Sequence, residues 1–140
     1  MHDYIALNTD RTISANSGSK FCVYGTFKPN SANNYFCGPE MQDNTVIDLS
    51  GMSGPWSIKS GGSNLVNCKY VTFVNGARVD INLGSRRIAQ KEAIMTWDST
   101  SKPTNLSALT FKGVFNDRIV TLSKRDDGLY MPRGFVIIVR

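Results

Sequence analysis

The chain predicts an all-β domain, and three observations carry the prediction. Short runs rich in Val, Ile, Thr and aromatic residues recur with Ser, Gly and Asn between them. Within several runs apolar and polar residues alternate, as on a strand with one face buried. Turn signals crowd the last third: Asp126-Asp127-Gly128 and Pro132-Arg133-Gly134 separate apolar runs as hairpin turns do.

The central stretch, Thr45 to Leu83, sets the architecture. Its runs (TVIDL, WSI, YVTFV, ARVDINL) are each too short and too polar on one side to fold alone. Their apolar side chains must be buried against runs stacked above and below, which is the logic of a solenoid. The expected fold is therefore a short right-handed parallel β-helix passing into an antiparallel C-terminal cap, with a β-sandwich or jelly roll as the alternative. Asn75-Gly76, between Val71–Val74 and Ala77–Ile81, is the strongest hairpin signal and predicts local antiparallel pairing there.

The other elements follow in order. Tyr4 to Leu7, Arg11 to Ala15 and Lys20 to Lys28 read as strands, the last with Phe21, Val23 and Phe27 on one side. Tyr35-Phe36-Cys37 reads as a short edge piece after the loop Pro29 to Asn34. Gly54-Pro55 and Gly61-Gly62-Ser63 mark turns. Ala89-Gln90-Lys91-Glu92 has the composition for one helical turn. Ala93 to Trp97, Leu109 to Val114, Arg118 to Ser123, Leu129 to Met131 and Phe135 to Val139 complete the strands, and that apolar C-terminal run predicts the closed end of the fold.

At 140 residues the chain is expected to be one domain spanning 1–140, a piece or C-terminal module of a longer exported protein. The charged fraction, 19%, is below the globular norm, and the net charge of +5 comes from Lys and Arg scattered along the chain. That reads as a solvated, mildly basic surface, with no specific nucleic acid as partner. No run of eighteen apolar residues occurs, so no membrane insertion by this segment is expected. Met1 to Asp10 does not resemble a secretion signal, so an export signal would lie on a longer precursor.

Three cysteines, Cys22, Cys37 and Cys68, cannot all pair within one chain, and each sits beside apolar or aromatic neighbours. They read as small buried thiols, with a Cys22–Cys37 bridge as the alternative. Their spacing fits no zinc motif and the single histidine, His2, is at the N-terminus, so neither metal nor cofactor is expected.

Catalysis finds little support. Asp126-Asp127 beside Arg125 fits turn chemistry better than a glycosidase pair, which needs two carboxylates at a fixed separation. One terminal histidine leaves no Ser-His-Asp relay, and the glycine-rich Ser60 to Asn64 is not followed by the Lys-Ser/Thr of a phosphate loop. Aromatic residues among Asn, Ser and Lys are the better signal. Trp56, Tyr35 and Tyr70 are the candidate ligand-binding residues, since an exposed ring can lie against the apolar face of a sugar. Core packing is the competing reading for Trp56, and also for Trp97.

The succession Asp48-Leu49-Ser50-Gly51, Val71 to Ala77, Val79-Asp80-Ile81-Asn82-Leu83, Met95-Thr96-Trp97 and Asp127-Gly128-Leu129-Tyr130 with Phe135 to Arg140 resembles the C-terminal region of bacterial surface proteins built from autotransporter-associated β-strand repeats. The resemblance spans about Thr45 to Arg140 and departs in lacking an outer-membrane barrel after Arg140. It implies an extracellular or cell-surface location and a non-catalytic, adhesin-like structural role, with neighbouring solenoid repeats or like subunits, and glycans, as partners. A carbohydrate-binding module and a phage or virus fibre receptor-binding domain are the alternatives.

Overall fold

The computed structural model describes residues 4–7, 12–14, 21–29, 35–37, 39–58, 71–99 and 101–134, with side chains for 22–29, 40–58, 71–99 and 101–134. The fold is all-β. In chain order the strands are β1 (Tyr4–Leu7), β2 (Thr12–Ser14), β3 (Phe21–Val23), β4 (Thr26–Pro29), β5 (Tyr35–Cys37), β6 (Pro39–Met41), β7 (Thr45–Asp48) and β8 (Trp56–Ser57). There follow β9 (Thr72–Phe73), β10 (Arg78–Asn82), β11 (Ala93–Thr96), β12 (Thr110–Phe115), β13 (Arg118–Thr121), β14 (Ser123–Arg125) and β15 (Gly128–Tyr130). Among the described residues one short 3-10 turn, Leu106–Ala108, is the sole helical element.

These strands form four sheets, and the parallel neighbours within a sheet are far apart in sequence, whereas β12-β13 and β14-β15 are joined by hairpins. The largest runs β1-β4-β7-β10-β12-β13, parallel until β13 turns back antiparallel on β12. A second, β3-β6-β9, is parallel throughout, as is the pair β2-β5. The fourth, β14-β15-β11-β8, is parallel only between β11 and β8.

Alternation decides what each strand buries. In β7, Thr45 and Ile47 point inward while Val46 and Asp48 are half-exposed, and β10 and β12 keep the same phase. Inward residues then stack by register: Phe27 on Ile47, Ile47 on Ile81, and Ile81 on Gly113. The three side chains in that column are fully buried, each contributing roughly 1.5–3 kcal/mol of hydrophobic stabilisation. The column ends at a glycine for a reason: a Cβ on Gly113 would lie 2.9 Å from Leu122 Cδ2. Leu122, between β13 and β14, is buried beside this glycine, with its N–H donating to Phe111 O at 2.8 Å.

The strand ends are locked by turn chemistry. Asp48 Oδ1 accepts hydrogen bonds from the N–H and hydroxyl of Ser50, at 3.0 and 2.6 Å, and Asn82 Oδ1 accepts the N–H of Gly84 at 3.1 Å. Asp48 and Asn82 are register partners, so the same Asx turn recurs one strand later. Beyond it, Arg86 donates to Leu49 O and Gly54 O at 3.1 and 3.3 Å, tying the 84–92 connection to the one before it. Burial lowers the pKa of this guanidinium, against the field of Glu92.

One sequence expectation is corrected. Asn75-Gly76 is not a hairpin: β9 pairs with β6 in one sheet and β10 with β7 in another. The turn closes with Ala77 N–H on Val74 O at 3.0 Å, and only Gly76 takes positive φ (77°), whereas a type I′ turn needs positive φ at both central residues. Gln42–Thr45 forms the corresponding corner between β6 and β7, with Asn44 at φ 63°. Ala89 to Glu92 makes the one turn expected of it, with Glu92 N–H on Ala89 O at 3.0 Å. The hairpin at Asp126-Asp127 forms as expected, joining β14 to β15. Tyr35–Cys37 is the parallel partner of β2. The expected strand Phe135 to Val139, the glycine turn Gly61 to Ser63 and Cys68 lie outside the described residues.

Candidate functional site

Of the three proposed aromatic residues, Trp56 is the one whose side chain is described. Trp56 is 1% exposed: it points inward from β8, its ring centroid 5.5 Å from that of Phe27, and offers no face to a sugar. Its indole N–H meets no acceptor. Tyr35 is placed by its backbone in β5, its side chain lying outside the described ones, and Tyr70 lies outside the described residues altogether. Trp97 is also buried, its indole N–H donating to Asp126 O at 2.9 Å. Cys22 carries a free, half-buried thiol.

The polar chemistry gathers instead around the closing hairpin. Trp97 N–H donates to Asp127 O at 3.1 Å, Tyr130 OH donates to Asp127 Oδ2 at 2.9 Å, and the Arg125 guanidinium lies 4.2 Å over the Tyr130 ring. The Lys102 ammonium donates to Asp126 Oδ1 at 2.7 Å. Lys124 reaches across to the 3-10 turn, donating to Leu106 O at 3.0 Å, Ser107 O at 3.4 Å and Leu109 O. Accepting the Tyr130 proton holds it more firmly, so the Tyr130 pKa is raised, first by this hydrogen bond and then by burial. The hydrogen bond and charge of Lys102 hold the Asp126 carboxyl below its usual range.

Asp126 is 99% exposed at its side chain, so this ion pair is worth little at neutral pH. The sign of its pH dependence follows from the lowered pKa: its contribution is present above the ordinary aspartate pKa and is lost as pH falls through the lowered value. The small stability gap between the native protein and Asp126→Asn should therefore close below about pH 4. Thermal melts of both across that range check it; a gap that widens in acid would reverse the assignment.

Beside this hairpin a groove of ≈ 460 Å³ runs along the edge of β9. Val71, Phe73 and Pro103 form its floor, and Glu40, Thr72 and Asn75 stand on its rim. Residues 101–105 form its far wall. Asp98 Oδ1 accepts Ser101 N–H at 2.9 Å, Ser101 OH donates to Ile58 O at 2.7 Å, and the Asn105 side-chain amide donates to Phe73 O at 3.0 Å, where a further strand would otherwise bond. Glu40 is the one carboxylate among the described lining residues.

Several other described carboxylates serve local geometry. Asp43 accepts Arg78 N–H at 2.8 Å, Asp80 pairs with the Arg78 guanidinium at 2.9 Å, Glu92 accepts Ala89 N–H at 3.4 Å, and Gln42 donates to Glu40 at 3.0 Å. Among the described residues no three His, Cys, Asp or Glu side chains converge as metal ligands would, and no helix is long and apolar enough to cross a membrane. No protein-family model, curated protein or solved structure matches the chain.

Proposed function

We propose that this chain is the end piece of a right-handed parallel β-helix, a non-catalytic module of an exported or cell-surface protein that closes a solenoid and serves adhesion or assembly. The observation that carries the reading is the order β1-β4-β7-β10-β12, parallel throughout and then met by antiparallel β13. Parallel sheets covered by helices are apolar on both faces. Here the outward positions are polar or half-exposed (Asp48, Asp80, Asn82, Lys112), which suits a sheet that wraps its own core. A β-sandwich would be built of antiparallel pairs. Antiparallel β13, β14 and β15, with Leu122 folded inward, are what the last layer of such a coil needs in order to stop. At the opposite edge no second described strand pairs with β1, and the natural partner there is a preceding repeat or a like subunit.

The commitment of carboxylates to turns and ion pairs supports a non-catalytic role. The experiment is incubation of the purified chain with a panel of neutral and acidic polysaccharides. No reducing or unsaturated ends are expected above a heat-inactivated control; release that disappears on Glu40→Gln would overturn the reading and place a catalytic carboxylate in the groove. Carbohydrate binding is the second reading, favoured by that groove and its hydroxyl and amide rim.

A further inference from the structure

The positive charge of this protein is concentrated at one end. Residues 1–85 hold six Lys or Arg and six Asp or Glu, whereas residues 86–140 hold ten Lys or Arg and five Asp or Glu, so the entire net charge of +5 belongs to the C-terminal part. Most described cations there are already engaged: Arg86, Lys102, Lys112 and Lys124 donate to carbonyl, carboxylate or hydroxyl oxygens, and Arg125 lies on a ring. Arg87, Lys91, Arg118 and Arg133 are not. All four are exposed, and no described acceptor holds them.

Topology brings these four to one corner. Asn82 at the end of β10 pairs with Val114 of β12, and Arg118 pairs with Phe115 across the next hairpin, so Arg118 stands at the same end of the sheet as the start of the 84–92 connection that carries Arg87 and Lys91, with β12 between them. That connection enters β11 at Ala93, whose partner is Tyr130 at the end of β15. Residues 131–134, with Arg133, therefore leave from the same corner. Two carboxylates stand nearby, Asp117 in the hairpin turn and Glu92, the latter already accepting Ala89 N–H.

We propose that this corner, where the six-stranded sheet hands over to the four-stranded one, binds an acidic polysaccharide. Three of its cations are arginines, whose planar forks match carboxylate and sulfate groups with two parallel hydrogen bonds. Exposed Ser85 and Asn116 add neutral hydrogen-bonding groups of the kind that suit sugar hydroxyls. A single-stranded nucleic acid site would add aromatic platforms for its bases. The large hydrophobics exposed among the described residues are Tyr24 and Ile119, and the ring belongs to the connection between β3 and β4, a different corner. The proposal rests on the reading of the chain as a surface module and names the polymer that such a module would hold.

The test is binding of fluorescently labelled polygalacturonate and heparin to the whole chain, with dextran and duplex DNA as comparisons. Both acidic polysaccharides should bind and dextran should not. With three or four cations engaged, affinity should fall about 20- to 150-fold between about 50 and 200 mM salt. Arg87→Gln with Arg118→Gln should weaken binding about tenfold, and adding Lys91→Gln and Arg133→Gln should remove it while leaving the thermal melt in place, as expected for exposed side chains. Lys112→Gln with Arg78→Gln, an equal loss of charge on the sheet face, should change affinity less than about twofold. Absence of binding at low salt, binding unaffected by the four substitutions, or tighter binding to DNA than to either polysaccharide would overturn the proposal. The same samples separate it from the wider reading: polymer bound and cleaved would refute the non-catalytic role alone, and polymer neither bound nor cleaved would refute the corner site alone.

Discussion

Replacing Gly128 with alanine should cost the fold about 3 kcal/mol, the upper end of overpacking penalties. Gly128 opens β15 opposite Thr96, beside a bulge at which Ile94 and Met95 of β11 together face Leu129. The bulge draws the two backbones together: a Cβ on Gly128 would sit 2.0 Å from Met95 O and 3.1 Å from Thr96 Cα. Both obstacles are main chain and cannot rotate aside, so β15 would have to retreat from β11. It would carry with it the indole contact of Trp97 and the hydroxyl contact of Tyr130 with the hairpin. The expected result is a fall in melting temperature of about 10 °C, using the stability-to-temperature conversion for a chain of this size. Gly54→Ala is the control, since a Cβ there meets nothing within 4 Å and no positive φ is involved; it should change stability by less than about 1 kcal/mol. A Gly128→Ala protein that melts with the native one would mean that β15 does not pack as closely on β11 as described.

Local elements were the more legible part of this chain, because their signals are local. Period-two alternation predicts β7, β10 and β12, since a strand with one wet face must alternate, and Asp126-Asp127-Gly128 marks a real hairpin. Pairing was less legible. Asn75-Gly76 has the composition of a hairpin, but a glycine with positive φ also suits a corner between sheets, and the choice depends on strands remote in sequence. A signal existed: Asp-Leu-Ser at 48–50 and Asn-Leu-Gly at 82–84 make matching Asx turns in register. It was obscured because partner offsets vary, from Thr26↔Val46 to Thr45↔Val79, as the connections between strands change length. The corner cations could not be read at all from composition. Arg87, Arg118 and Arg133 sit on separate segments, and only the register of β10, β12, β11 and β15 places those segments at one end of the sheets.

Trp56 decides between two uses of the same residue type, and its truncation should separate them. As a sugar platform, Trp56→Ala would remove binding and leave stability nearly unchanged, since an exposed ring contributes little to the fold. As placed, the ring is 1% exposed, lies against Phe27, and stands in register with Met95 of β11, itself fully buried. Removing it opens a cavity in the core beside Phe27, which cannot collapse without displacing β8, and the expected cost is about 3–5 kcal/mol. Trp56→Phe should behave differently. The indole N–H is buried without an acceptor, so the smaller ring keeps much of the contact while deleting an unsatisfied donor, and the loss should stay within about 1.5 kcal/mol. Urea titrations of the three proteins, each paired with the polygalacturonate assay, give the readout. Trp56→Ala should be strongly destabilised, yet under conditions where it remains folded it should bind the polymer as the native protein does, because the corner cations lie outside the core. A stable Trp56→Ala protein that no longer binds would return Trp56 to the ligand.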